Sequence, residues 1–245
     1  MKSIKYFIQF LIISILFVLF KILGLSFASY LSGKIISLIG PFFRSKNLIK
    51  SNILKALPDL SQREVGEITK KMWNNYGRIL AEYIFIKNFR STKSKNNIEI
   101  KGQEILDKIK KNNEPVIFVS GHFNNFELMA MQIEKSGIDL AVIYRPLNNK
   151  FLNFIMEKIR KKHICKNQIK KGISGTRQLL SFFKKKTSIA LMIDQRVSQG
   201  IKTNFFKHEA FTTTIPAQFV KIKLKKEYQV QNNYFHFLKT KRLLL

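Results

Sequence analysis

Residues 116–127 read Val-Ile-Phe-Val-Ser-Gly-His-Phe-Asn-Asn-Phe-Glu. The apolar run from Val116 to Val119 has the length and residue types of a strand buried on both faces, and it empties through Ser120-Gly121 into His122. Open α/β sheets collect ligands at the carboxyl ends of their strands, so this imidazole stands where such folds do their chemistry. Glu127 follows five positions later, in place to hold one tautomer of the ring. Of the four histidines, only His122 has an acid at that spacing. Gly121 allows close backbone approach at a tight turn. Two readings are open: a general base that takes a proton from an alcohol, with Glu127 stabilising the imidazolium, or a capped or core histidine.

Working outward, the pattern predicts alternating elements. A helix follows from about Asn125 to Lys135, a second strand over Leu140 to Tyr144, helices over Asn148 to Lys162 and Gly175 to Lys185, and a third strand over Ser188 to Ile193, ending at Asp194-Gln195. Strands and helices joined by short connections predict an α/β fold with a mainly parallel central sheet flanked by helices. Asp194, at the end of the third strand, faces the same crevice as His122. Its expected roles are orienting a substrate hydroxyl, pairing with an arginine, or capping a helix. Arg145 follows the second strand, and Arg160 sits on the next helix among Lys158, Lys161 and Lys162. Guanidinium groups grip phosphate bidentately, so these two are candidate contacts for an anionic headgroup or a phosphopantetheine arm; for Arg160 a solvated helix face is the alternative. No GxSxG elbow precedes His122 and no second histidine lies at metal spacing, so neither a serine nucleophile nor a metal site is indicated.

An α-helical lead-in is predicted ahead of this region. Asn47 to Leu57 forms a short helix stopped by Pro58. Ser61-Gln62-Arg63-Glu64 is a capping box that opens a helix to about Ile86, burying Val65, Ile68, Met72, Tyr76, Ile79 and Tyr83. Arg90 to Asn97 reads as a polar loop, Ile98 to Lys101 as a small strand, and Gly102 to Lys111 as a helix.

The amino end carries a membrane signal. Between Lys5 and Lys21 lies an uncharged apolar run, and Tyr6 to Ala28 is long enough to cross a hydrocarbon core if Lys21 snorkels. Ser26-Phe27-Ala28 has the small-x-small form of a cleavage site, and a buried helix passes the same test. Positive charge continues at Lys34, Arg44, Lys46 and Lys50, which favours a retained anchor, spanning or interfacial, with the basic body on the cytoplasmic side.

Composition sets the outer bounds. With 245 residues, 45% hydrophobic, and 22 phenylalanines, the chain folds around a core. The balance of 44 Lys and Arg against 15 Asp and Glu, net +29, points to a polyanionic partner: an anionic membrane, an acidic protein or nucleic acid. Basic residues are spread along the chain without an RNA- or DNA-binding signature, so a membrane-tethered nucleic-acid binder is only a distant alternative. The single cysteine, Cys165, excludes a disulfide framework.

These pieces resemble the lipid A biosynthesis acyltransferases, the lauroyl and myristoyl transferases of the lysophospholipid acyltransferase group. The resemblance lies in Ser120-Gly121-His122-Phe123-Asn124-Asn125-Phe126-Glu127, a His-x4-Glu motif. Tyr144-Arg145-Pro146-Leu147 and Asp194-Gln195 followed by Phe205-Phe206 are similar to later blocks. Asn52, Pro58, Trp73, Asn75, Gly77-Arg78 and Glu82-Tyr83 are similar to the family's helical region before the motif. The resemblance implies an O-acyltransferase that moves a fatty acyl chain from an acyl carrier protein thioester, or acyl-CoA, to a hydroxyl of a lipid A precursor. His122 would be the general base and Glu127 its partner, with Asn125, Arg145, Arg160, Asp194 and Gln195 about the substrates. No cofactor is implied beyond the phosphopantetheine thioester of the donor. It further implies an anionic glycolipid acceptor, the cytoplasmic face of a bacterial inner membrane, and no nucleic acid; the same fold on another glycolipid or a lysophospholipid is the alternative. The organisation expected is an anchor or interfacial region over 1–43 and an acyltransferase domain over 44–245. The family continues beyond the position matching Lys221, so a shortened carboxyl end is expected, with Tyr228 to Leu245 lacking a clear final strand and helix.

Overall fold

The computed structural model describes residues 2–91, 98–195, 197, 198 and 200–224. The chain is mixed α/β and divides into two compact units. One comprises the described parts of residues 1–10, 86–201 and 212–245, the other residues 11–85 and 202–211.

The first unit is built on four strands, β1 (Ile117–Ser120), β2 (Leu140–Tyr144), β3 (Asn167–Lys170) and β4 (Ser188–Met192), in the order β1-β4-β2-β3. Every pairing in this sheet is parallel. Helices α7 (Glu127–Lys135) and α8 (Lys150–His163) carry the chain from β1 to β2 and from β2 to β3, while α9 (Ile173–Lys184) brings it back to insert β4 between β1 and β2. Right-handed crossovers in opposite directions put α9 on the sheet face opposite α7 and α8. On the α9 face, Ala141, Ile169, Ile189 and Leu191 pack with Leu179 and Phe183, joined by Phe219 of α10 (Ile215–Leu224). Cys165 is buried, its thiol bonded to the Leu140 carbonyl, and burial pushes its pKa up to about 12.

In the second unit, helix α1 (Lys2–Leu23), which begins in the first, is followed by α2 (Leu25–Ile39), α3 (Lys46–Ala56) and α4 (Gln62–Glu82). The capping box at Ser61 forms as predicted, with Ser61 and Glu64 exchanging bonds at 2.8 and 3.3 Å. The apolar stretch expected as one span over Tyr6 to Ala28 is instead broken at Gly24, whose positive φ of 75° a glycine adopts without the clash a Cβ would bring. Among the described residues, helix α1 alone is long and apolar enough to cross a membrane. Helix α2 packs along α4.

The α2–α4 seam is made of small residues. Ala28, Ser29, Ser32 and Gly33 of α2 are buried, as are Gly77 and Ala81 of α4. The Ser32 hydroxyl donates to the Gly77 carbonyl at 2.6 Å, and Ser29 donates to the buried Glu82 carboxylate at 3.1 Å. Tyr76, expected inside, is 56% exposed because close backbone approach, rather than large side chains, sets which face of α4 is covered. The long helix expected to Ile86 ends at Glu82, with a 3₁₀ turn over Tyr83–Phe85 before α5 (Ile86–Arg90).

Three other expectations change. Strand β3 was not foreseen, because Asn-Gln-Ile-Lys is polar; Asn167 compensates by donating to the Leu140 carbonyl at 3.0 Å. The strand expected over Ile98 to Lys101 reduces to a single bridge at Glu99, ahead of α6 (Gln103–Asn112). Arg90, expected in a loop, ends α5 and donates to Glu134 at 2.5 Å and to the His163 carbonyl at 3.3 Å. Residues 92–97 of that loop, and the carboxyl end Tyr228 to Leu245, lie outside the described residues.

A methyl group at Gly77 would sit 2.3 Å from the Ser32 carbonyl oxygen. Gly77→Ala should therefore lower stability by about 2 kcal/mol through overpacking, although the same change at an open helix position would stabilise by up to about 1 kcal/mol. Thermal denaturation gives the sign.

Candidate active site

The register of β1 against β4 creates the site. Ser120 pairs with Met192, and the Ile193 amide donates to the Ser120 carbonyl at 2.9 Å, so the two strands leave the sheet side by side. His122 and Asp194 each lie two residues beyond that last pair, and they meet although 72 positions apart in sequence. One carboxylate holds the histidine twice. Asp194 Oδ2 accepts from the His122 backbone N–H at 2.7 Å, and Oδ1 lies 2.7 Å from the imidazole Nδ1. Gly121 makes room for this clasp: a Cβ there would stand 3.1 Å from Asp194 Oδ2 and 2.6 Å from the Phe123 ring. Asn124 turns the chain with φ 46°, a left-handed conformation that asparagine tolerates better than most residues.

Burial pushes the Asp194 carboxyl upward, but the His122 backbone N–H, then its ring and the charge on it, outweigh that and hold the group below the ordinary aspartate range. An ionised Asp194 fixes the proton of neutral His122 on Nδ1 and leaves the Nε2 lone pair free to accept. Gln195 Nε2 lies 3.3 Å from that atom, and the Phe126 ring meets the imidazole edge-on at 4.7 Å. Both side chains of the His122–Asp194 pair are about one-third exposed, so Nε2 is reachable from solvent.

Glu127 is the principal correction. It was expected on His122; it instead accepts from Arg160 Nε at 2.8 Å and from Nη2 on the same oxygen, Oε1. Both side chains are close to nine-tenths buried, at 11% and 13% exposed. Glu127 opens α7, where the positive end of the helix dipole favours an acid. Arg160 comes from the last turn of α8 and lies over the Tyr144 ring at 5.5 Å. Tyr144 donates to Glu157 Oε1 at 2.5 Å, and Asn153 donates to the same oxygen at 2.8 Å. Burial and this bond raise the Tyr144 hydroxyl well above its ordinary value, while the bond lowers Glu157.

The remaining predicted residues fall into two groups. Asn125 is buried in the turn between β1 and α7, its carbonyl accepting from the Leu128 amide at 3.1 Å. Arg145 is exposed just beyond β2 and makes no hydrogen bond or ion pair among the described residues, so it is available to an anion at the carboxyl edge of the sheet. Asp194 takes the position at the imidazole that was assigned to Glu127, rather than an arginine or a helix cap. The signal that could have found it is the matched exit of two adjacent parallel strands. Among the described residues no group of three or more His, Cys, Asp or Glu is placed to hold a metal ion.

Comparison with known proteins bears on this geometry. Residues 1–236 match the family described as bacterial lipid A biosynthesis acyltransferase. The chain is also 23% identical over 151 residues to the lipid A biosynthesis myristoyltransferase of Escherichia coli (strain K12), a match covering 60% of this chain and 46% of that protein. The matched segment thus spans about half the length of that relative. With residues 1–236 matched, the chain belongs to the bacterial lipid A biosynthesis acyltransferase family.

Proposed function

We propose that this protein transfers a fatty acyl chain from a phosphopantetheine thioester, carried by acyl carrier protein or by CoA, to a hydroxyl of a lipid A precursor. The observation that carries the reading is the double hold of Asp194 on His122 in a chain of this family. It leaves the Nε2 lone pair free to accept, on a side chain about one-third exposed.

In the proposed reaction the acceptor hydroxyl displaces the Gln195 amide from Nε2 and gives its proton to the imidazole as its oxygen attacks the thioester carbonyl carbon. Asp194 stabilises the imidazolium without itself taking the proton. The tetrahedral adduct collapses with cleavage of the carbon–sulfur bond, and the imidazolium proton goes to the departing sulfur. The products are an ester and a thiol, and the base is regenerated. Arg145 is placed to contact an anionic group of either substrate. Glu127 serves this site indirectly, neutralising Arg160 and tying α8 to the start of α7, five residues after His122.

The acceptor is proposed to be an anionic glycolipid, and the protein to work at a membrane through α1, with its basic body at the cytoplasmic leaflet. An excess of 29 positive charges suits a phosphorylated lipid and an acidic carrier protein alike. Comparing lipid A masses from cells with and without the gene should show loss of one acyl chain; unchanged lipid A beside an altered phospholipid or other glycolipid would move the activity to another acceptor.

Removing the base with His122→Ala should lower acyl transfer in membranes roughly 10²–10⁴-fold. Asp194→Asn should fall in a similar range, about 10²–10⁴-fold in kcat with little change in KM, because the amide no longer enforces the Nδ1–H tautomer. Glu127→Gln has a different expected signature. Leaving the Arg160 charge uncompensated by Glu127 in the interior should cost about 3 kcal/mol in stability, visible as a lowered denaturation midpoint. Equal stability with abolished kcat would return Glu127 to direct partnership with the base.

The Asp194 bonds also predict a pH dependence. The folded-state pKa is depressed, so the unfolded chain binds the proton more readily. The contribution is fully present above the unfolded value, about 4, and is lost as pH falls through the lower folded value. Acid denaturation of Asp194→Asn should lack that part of the decline below about pH 4.

A further inference from the structure

The second unit holds two sets of phenylalanines out in water. Phe42 and Phe43, at the corner between α2 and α3, are 87% and 76% exposed, and Leu38 beside them is 75% exposed. This corner is pinned. Gly40 begins its 3₁₀ turn and is buried against Trp73, so closely that a Cβ would stand 2.4 Å from the indole. Just beyond it, the Ser45 hydroxyl accepts from the Leu48 amide and starts α3. The rings are therefore displayed by a fixed backbone rather than left loose.

The second set sits on the hairpin of β5 (Ile201–Phe205) and β6 (His208–Thr212). Its two turn residues, Phe206 and Lys207, both have positive φ, 49° and 62°. Two-residue hairpin turns of this hand are normally made by asparagine and glycine; a phenylalanine there is a backbone outlier that sheet formation alone does not require. The turn places Phe205 and Phe206, 58% and 54% exposed, at the tip with their rings in edge contact at 4.7 Å.

Each Phe-Phe pair is followed directly by a cation, Arg44 or Lys207. Around the first, Lys46 and Lys50 add charge, and no Asp or Glu precedes Asp59 anywhere in the chain. At the hairpin, Glu209 is engaged by Lys202 at 3.1 Å. Residues 11–23 of α1, whose Leu11, Ile12, Ile15, Val18, Leu19 and Ile22 are exposed, belong to this same unit. Apolar rings backed by cations are the composition that settles at the boundary of an anionic bilayer.

We infer that the Leu38–Phe43 corner and the Phe205–Lys207 hairpin tip are two bilayer contacts additional to α1, seating their aromatic rings below the headgroups of an anionic leaflet. The occupant is a lipid surface rather than an acidic protein, because the groups offered are phenylalanine rings with no polar atom and α1 of the same unit is apolar on the same scale. The inference rests on exposure and charge, and only its cellular setting depends on the proposed transfer reaction.

Site-specific labelling of the full chain tests it. Cys165 is fully buried and its thiol resists ionisation, so a single new cysteine takes a maleimide label selectively. Phe43→Cys and Phe206→Cys, each carrying an environment-sensitive fluorophore, are reconstituted into phosphatidylethanolamine–phosphatidylglycerol vesicles with and without brominated acyl chains. Arg63→Cys, at an exposed position on α4 of the same unit, is the aqueous reference. Both test positions should shift to the blue and be quenched by the brominated lipid, while position 63 stays aqueous. A His122→Ala background should give the same shifts, which separates this result from the fate of the transfer reaction. Emission at position 43 or 206 matching that at position 63 would overturn the inference, as would burial of the labels by acyl carrier protein and not by vesicles.

Discussion

One aspartate decides what this site can do. Asp194 grips the backbone and the ring of His122 with its two oxygens, and so sets both where the imidazole stands and which nitrogen carries the proton. A lone surface histidine would sample several rotamers and both tautomers. Here the imidazole is pre-oriented, and the cost of ordering it is met when the sheet forms. The clasp depends in turn on β4 being inserted beside β1 with Ser120 opposite Met192. A slip of one residue in that pairing would separate the two side chains.

The acid nearest in sequence does other work. Glu127 and Arg160 form a buried pair whose charges would each be costly alone. Both bonds converge on one carboxylate oxygen, and the guanidinium lies over a tyrosine that itself bonds to Glu157. This chain of contacts joins the start of α7 to the end of β2 and to α8. Glu127 directly follows the turn that presents His122, and its carboxylate bonds go to Arg160 rather than to the imidazole.

How much of this was legible in the sequence depends on the range of each interaction. Strand β1, the histidine at its end, the helix after it and the capping box at Ser61 are specified by residues close in the chain, and each falls where the local pattern placed it. The His122–Asp194 contact depends on strand order, which local pattern does not carry; only the shared placement at strand ends hinted at it. Spacing misassigned Glu127, because proximity along a helix start says nothing about an arginine 33 positions away. Strand β3 escaped notice because its four residues are mostly polar and its pairing is supplied by β2. On the helix opened at Ser61, Val65 and Tyr83 are buried where the helical period placed them, but Tyr76 is exposed, and the close seam with α2 is made by glycine, alanine and serine, which carry no apolar signal.

The central claim is that Asp194, and not Glu127, fixes the proton on His122 Nδ1. Nitrogen-15 NMR of the imidazole, read at a pH where the ring is neutral, reports the tautomer directly. The structure predicts an Nδ1–H ring whose hydrogen-bonded proton resonates downfield, and predicts that this signature vanishes in Asp194→Asn while surviving in Glu127→Gln. A tautomer indifferent to Asp194 and lost with Glu127 would contradict the account.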